Sequence, residues 1–177
     1  MPGDENSDMS VVAEVAREQG IERYGLLHDL KKQVMLAALA GMYHQWDKEL
    51  RDFVERELQH GVKPKEVRKI AWSENISDVF DVLKDFGWDP RKLAVFPLID
   101  ACRLVVNVYK HGKGRSLEDL AEKHPEFLNQ PLRGLVRADA SWLDHEWLEV
   151  SEAQFRRIAD AIEKFWVQFP ERLFLTI

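Results

Sequence analysis

The sequence predicts an all-α fold, a helical bundle of about five or six helices with a minor extended or short-strand element near residues 146–150. Apolar residues recur at steps of three and four over long stretches, the period of a helix with one buried face. Glycine and proline fall at a few boundaries, and the short connections between long helices favour antiparallel neighbours. The 177 residues, 45% apolar and 32% charged, suit one soluble globular domain with its own core. The acidic start Met-Pro-Gly-Asp-Glu-Asn-Ser-Asp is read as a disordered leader over 1–9, with a single domain over 10–177.

The first element is the strongest. From Tyr24 to about Gln59, Leu27, Leu30, Val34, Leu39, Met42, Tyr43, Trp46, Leu50, Phe53, Val54 and Leu58 keep helical spacing with no proline between them. Gly41 is the expected place for a bend or a close approach by another helix. Gly61 stops this helix, and Pro64 suits the first turn of the next, running to Phe86 with a break at Ser73 to Ser77. Gly87-Trp-Asp-Pro forms a turn. A helix from Leu93 to His111 follows, closed by Gly112 and Gly114. Ser116-Leu-Glu-Asp fits a capping box opening a short helix that ends near His124-Pro125. Pro125 to Asp144 reads as a long ordered loop, and Trp147-Leu-Glu-Val as an extended piece. Ser151-Glu-Ala-Gln then caps a last helix through Phe155, Ile158, Ile162 and Trp166 to Pro170. Trp46 and Trp166 fall on apolar faces, whereas Trp142 and Trp147 lie in the irregular stretch.

The helix ending at His111 carries the candidate site. At about 100° per residue, Arg103, Asn107 and His111 drift about 40° per step, and Lys110 lies about 20° to the other side of Arg103. Leu98, Ala101, Cys102, Val105, Val108 and Tyr109 fall on the opposite side. A fixed cation, an amide and an imidazole therefore share one face. A structural reading stands beside this one: Asp100 can pair with Arg103 three positions on, and basic residues in a last turn offset the helix dipole. Cys102 is expected to be a small core side chain, and a single cysteine excludes an internal disulfide, as suits a reducing cytoplasm.

Other chemistries lack their signatures. No metal site is expected, since His44 and Asp47 supply two donors one turn apart and Asp144-His145-Glu146 point in different directions. No cofactor is expected, because no P-loop, GxGxxG or GxSxG motif occurs. No apolar run approaches bilayer length, so no membrane partner is expected. A net charge of −6 argues against broad adhesion to nucleic acid, yet Arg103, Lys110, Lys113 and Arg115 stand together without an acid between Ala101 and Ser116.

The helical composition and the Arg103, Asn107, His111 row resemble the HEPN superfamily, over the long helix and residues 93 to 115. The resemblance implies an RNA-directed homodimer, with active members often metal-independent ribonucleases of toxin or defence systems. Its motif of arginine, polar residue and histidine maps onto Arg103, Asn107 and His111 as catalytic residues. Lys110, Lys113, Arg115 and His44 would then bind substrate. The family sets the polar residue directly after the arginine, whereas Leu104 follows Arg103 here and His111 is eight positions on. The alternative is a noncatalytic protein-binding module such as an antitoxin, immunity or accessory subunit, whose partner would meet the acidic surface and the loop from Pro125 to Glu149.

Overall fold

The computed structural model describes residues 5–59, 64–129 and 144–172. Among them are six α-helices and no strand: α1 (Glu5–Leu58), α2 (Pro64–Ala71), α3 (Ile76–Asp85), α4 (Phe96–His111), α5 (Arg115–Lys123) and α6 (Glu152–Val167). The all-α expectation holds. The extended element expected near 146–150 is one antiparallel bridge, Leu128 to Leu148. Asn129 N–H donates to the Trp147 carbonyl at 2.7 Å, and Glu149 N–H to the Phe127 carbonyl at 2.9 Å. Residues 130–143, which hold Trp142 and most of the expected loop, lie outside the described residues.

Helix α1 begins well before Tyr24. Of the expected leader, residues 1–4 lie outside the described residues and Glu5–Met9 are already helical. From Leu36 onward one face is enclosed: Leu36, Leu39, Tyr43, Trp46, Leu50, Val54 and Leu58 are buried. Leu27, Leu30 and Val34, read from their spacing as part of that inward face, are instead 60%, 59% and 57% exposed. Gly41 marks no close approach either, since a Cβ there would meet nothing within 4 Å.

The body is built around α4. Ile99, Ala101, Cys102, Leu104, Val105, Val106 and Val108 are all buried, with α1, α5 and α6 packed round it. Leu104 and Val106 go beyond the single apolar face expected, and Tyr109, placed there by its spacing, is exposed. Trp46 joins the layers, its ring 5.2 Å from that of Phe165 in α6 and 6.5 Å from that of Phe80 in α3. Its Nε1 is a buried donor without a partner among the described residues, at a cost of about 1–3 kcal/mol.

Helix ends follow local chemistry. The break expected at Ser73 to Ser77 separates α2 from α3, with the Asn75 side chain accepting from Ser77 N–H at 3.1 Å. Ser151 and Gln154 form the expected capping box of α6. The box expected at Ser116 does not form: α5 starts two residues earlier, behind Gly114 at φ +155°, and has no side-chain cap.

Arg51 ties α1 to the α2–α3 connection. Its Nε donates to both Asp47 carboxylate oxygens at 3.0 Å, and its Nη1 donates to the Ala71 and Ser73 carbonyls at 3.0 and 2.7 Å. Removing it strands an aspartate and two carbonyls in a largely dry site. Arg51→Ala should therefore destabilise the fold by about 3 kcal/mol in urea unfolding. A loss below about 1 kcal/mol would show that water substitutes for the guanidinium.

Candidate functional site

From Ala101 to His111 the side chains of α4 that reach solvent are Arg103, Asn107, Tyr109, Lys110 and His111. Because α5 and α6 join α1 in enclosing the helix, its polar residues are confined to the strip left open. Arg103, Asn107 and His111 occupy that strip on successive turns, as i, i+4 neighbours. Along the axis their Cα atoms step about 6 Å, so Arg103 and His111 stand about 12 Å apart.

Arg103 is already committed. Its Nε donates to Asp100 Oδ1 at 2.8 Å and its Nη2 lies 2.8 Å from the same oxygen, the i, i+3 pair anticipated from the sequence. The half-buried guanidinium also acts electrostatically on Tyr43 of α1. Burial drives the Tyr43 phenol far above its ordinary range, Asp47 adds to this, and Arg103 opposes it. Arg103 thus belongs to the α1–α4 seam. Cys102, behind the strip, is pushed up to about 12 by burial, which leaves its thiol protonated and inert.

The other half of the strip differs. No hydrogen bond or ion pair is formed by the side chains of Asn107, Lys110 or His111 among the described residues. His44 of α1 lies near enough to Lys110 for the ammonium to act on it. Burial lowers the His44 pKa from its ordinary 6.5, Lys110 lowers it further, and Asp47 works the other way. A neutral imidazole therefore stands next to an exposed cation. Of the sequence-derived candidates, the structure brings His44 within electrostatic reach of Lys110, while Asn107 and His111 share the open strip of α4 and Arg103 lies a turn or more behind.

Beyond His111 the chain reverses at Gly112, whose φ of +70° and ψ of −127° favour a residue without a Cβ. Lys113 turns away to an ion pair with Asp144 at 3.6 Å, and Arg115 lies 4.0 Å from Asp119. Both expected substrate cations are thus partly neutralised by their own surroundings. Asp144 accepts from Glu146 N–H at 3.1 Å and contacts His145 Nδ1 at 3.2 Å. The backbone hydrogen bond, with Lys113 and His145, holds its carboxyl below the usual range.

His145, which the sequence offered only as a metal donor beside Asp144 and Glu146, is brought to this end of α4 by the fold. A Cβ on Gly112 would meet its ring at 3.6 Å, so this imidazole lies against the α4 terminus, while Lys32 of α1 donates to the Glu146 carbonyl. The left-handed turn at Gly112 was the available signal, but nothing in it names the residue that packs there. Among the described residues no three His, Cys, Asp or Glu side chains converge as a metal site. No helix is long and apolar enough to cross a membrane among them. Comparison with protein-family models, with curated proteins and with solved structures finds no match.

The lowered His44 pKa fixes the sign of one pH effect. Above about pH 7 the imidazole is neutral in both folded and unfolded chains and contributes no difference. As pH falls through 6.5 the unfolded chain takes up a proton that the folded one resists, so stability is lost on the acid side. Urea midpoints should fall between pH 7.5 and 5.5, and His44→Gln should reduce that fall. An identical fall in the variant would assign the acid sensitivity to other groups.

Proposed function

We propose that this chain is a HEPN-like RNA-directed protein acting through the C-terminal half of the α4 strip, as a metal-independent endoribonuclease of a cytoplasmic toxin or defence system. The observation that supports the reading is an exposed Lys110 close enough to act on the neutral His44, on the open strip of α4 that also carries Asn107 and His111. In this reading Lys110 offsets charge on the phosphoryl oxygens and Asn107 orients an oxygen or the imidazole. An imidazole, His111 or the neutral His44, accepts the 2′-hydroxyl proton as the 2′-oxygen bonds to phosphorus. The bond from phosphorus to O5′ breaks, O5′ takes a proton from solvent, and the products are a 2′,3′-cyclic phosphate and a 5′-hydroxyl end.

This assignment differs from the motif mapping in one respect. Arg103, engaged by Asp100 and about 12 Å from His111, serves as a positioning residue for the α1–α4 seam rather than as a phosphate ligand in the same copy.

A second reading, a noncatalytic protein-binding module, is favoured by the net charge of −6 and by the uncovered first half of α1. The two separate on cleavage of mixed-sequence RNA in EDTA. The ribonuclease reading expects cyclic phosphate ends and a loss of about 100-fold or more in His111→Ala. Lys110→Ala should weaken RNA binding. Equal cleavage by wild type and His111→Ala, or none by either across diverse RNAs, removes the catalytic reading and leaves the binding module.

A further inference from the structure

We propose that the exposed part of α1 is a self-association surface on which a second copy of this chain docks antiparallel. The surface is a seam of its own rather than a continuation of the core face. Val12, Ala16, Leu26, Leu30, Val34 and Ala37 lie within about 40° of one line on the helix, with Gln19 and Arg23 filling the same three- and four-residue spacing between them. Val34 and Ala37 are exposed beside buried Leu36, Leu39, Ala40 and Tyr43, whose mean direction lies roughly 140° round the helix. Pairing along the seam therefore leaves the α1–α4 packing untouched.

Two features of the seam point to a helix as occupant. Its last position is Gly41, where a Cβ would meet nothing within 4 Å, and Ala16 and Ala37 are also small, so a partner backbone can approach closely. A helix of some thirty residues with Gly20 and Gly25 in its interior also gains little stability by itself, and packing along an apolar seam supplies what it lacks.

Charge selects the same chain as partner and sets its direction. From Glu5 to Glu22 there are five acids, Glu5, Asp8, Glu14, Glu18 and Glu22, against one base, Arg17. From Arg23 to Ala38 there are three cations, Arg23, Lys31 and Lys32, against one acid, Asp29. Parallel pairing would set the acidic halves against each other at an interaxial distance of about 8–10 Å, near the screening length at physiological salt. Antiparallel pairing sets each acidic half against the partner's basic half. A seam about 45 Å long and one helix diameter wide gives a footprint of roughly 500 Å² per copy, about 1,000 Å² in total, the size at which specific interfaces begin.

Nothing in this proposal rests on the RNA reading, and its test uses the full chain without RNA. Light scattering across 0.5 to 50 μM protein should give twice the chain mass at low salt, with the dimer weakened roughly tenfold on going from 0.05 to 0.5 M NaCl. Leu26→Glu with Leu30→Glu should raise the dissociation constant at least 100-fold while leaving thermal unfolding of the body unchanged. Leu26→Ala with Leu30→Ala, which keeps helix propensity, should raise it at least tenfold. Spin labels on Val11→Cys should lie more than about 25 Å apart in the antiparallel dimer, against about 10 Å in a parallel one. A monomer throughout, a dimer indifferent to these substitutions, a short label distance, or binding to lipid vesicles or to another protein in place of self-association would each overturn it.

Discussion

The enclosure of α4 governs the rest of the structure. Wrapped by α1, α5 and α6, the helix buries seven side chains between Ile99 and Val108, and solvent reaches it mainly along the strip of Arg103, Asn107, Lys110 and His111. A polar residue elsewhere on this helix would be dry and unpaired, at about 1–3 kcal/mol each. The clustering of its polar side chains is thus a packing requirement before it is a chemical feature. What exceeds that requirement is the other end: the side chains of Asn107, Lys110 and His111 make no hydrogen bond or ion pair among the described residues, and Lys110 acts on His44 of α1.

Helix α1 divides into two halves with different physics. From Leu36 it is a spine, its heptad-like row of Tyr43, Trp46 and Leu50 filling the gap between α3, α4 and α6, with Arg51 pinning the α2–α3 connection. Before Leu36 it carries comparable hydrophobic spacing, but Leu26, Leu27, Leu30 and Val34 stay exposed. The same local signal serves intramolecular burial in one half and an open seam in the other. That division separates two regions of the molecule, a body with a polar rim and an arm that meets whatever covers it.

Much of this was legible in the sequence. The helix boundaries at Ser73 to Ser77, Gly112, His124 and Ser151 followed from local chemistry, as did the Asp100–Arg103 pair, because each depends on residues a few positions apart. Leu27, Leu30 and Val34 misled because periodicity reports that a face is apolar, not what covers it. Leu104 and Val106 were missed for a related reason: a helix enclosed on most sides loses the two-sided pattern. The contact of His145 with Gly112, the Lys113–Asp144 pair and the Lys32 hydrogen bond to Glu146 join segments far apart in the chain, and no local pattern encodes them.

The site thus emerges from a constraint rather than from a motif: the bundle exposes one edge of its central helix, which carries Asn107, Lys110 and His111, and sets Lys110 close to His44. That account depends on α4 being the most protected element of the fold. Amide hydrogen exchange resolved by residue tests this most directly. The amides from Ala101 to Val108 should exchange only through global unfolding, more slowly than those of α2 and α6, and they should do so with or without self-association of the arm. Exchange of these amides ahead of α2 or α6 would contradict the account, because the strip would then lie on a helix that opens locally instead of on the enclosed centre of the bundle.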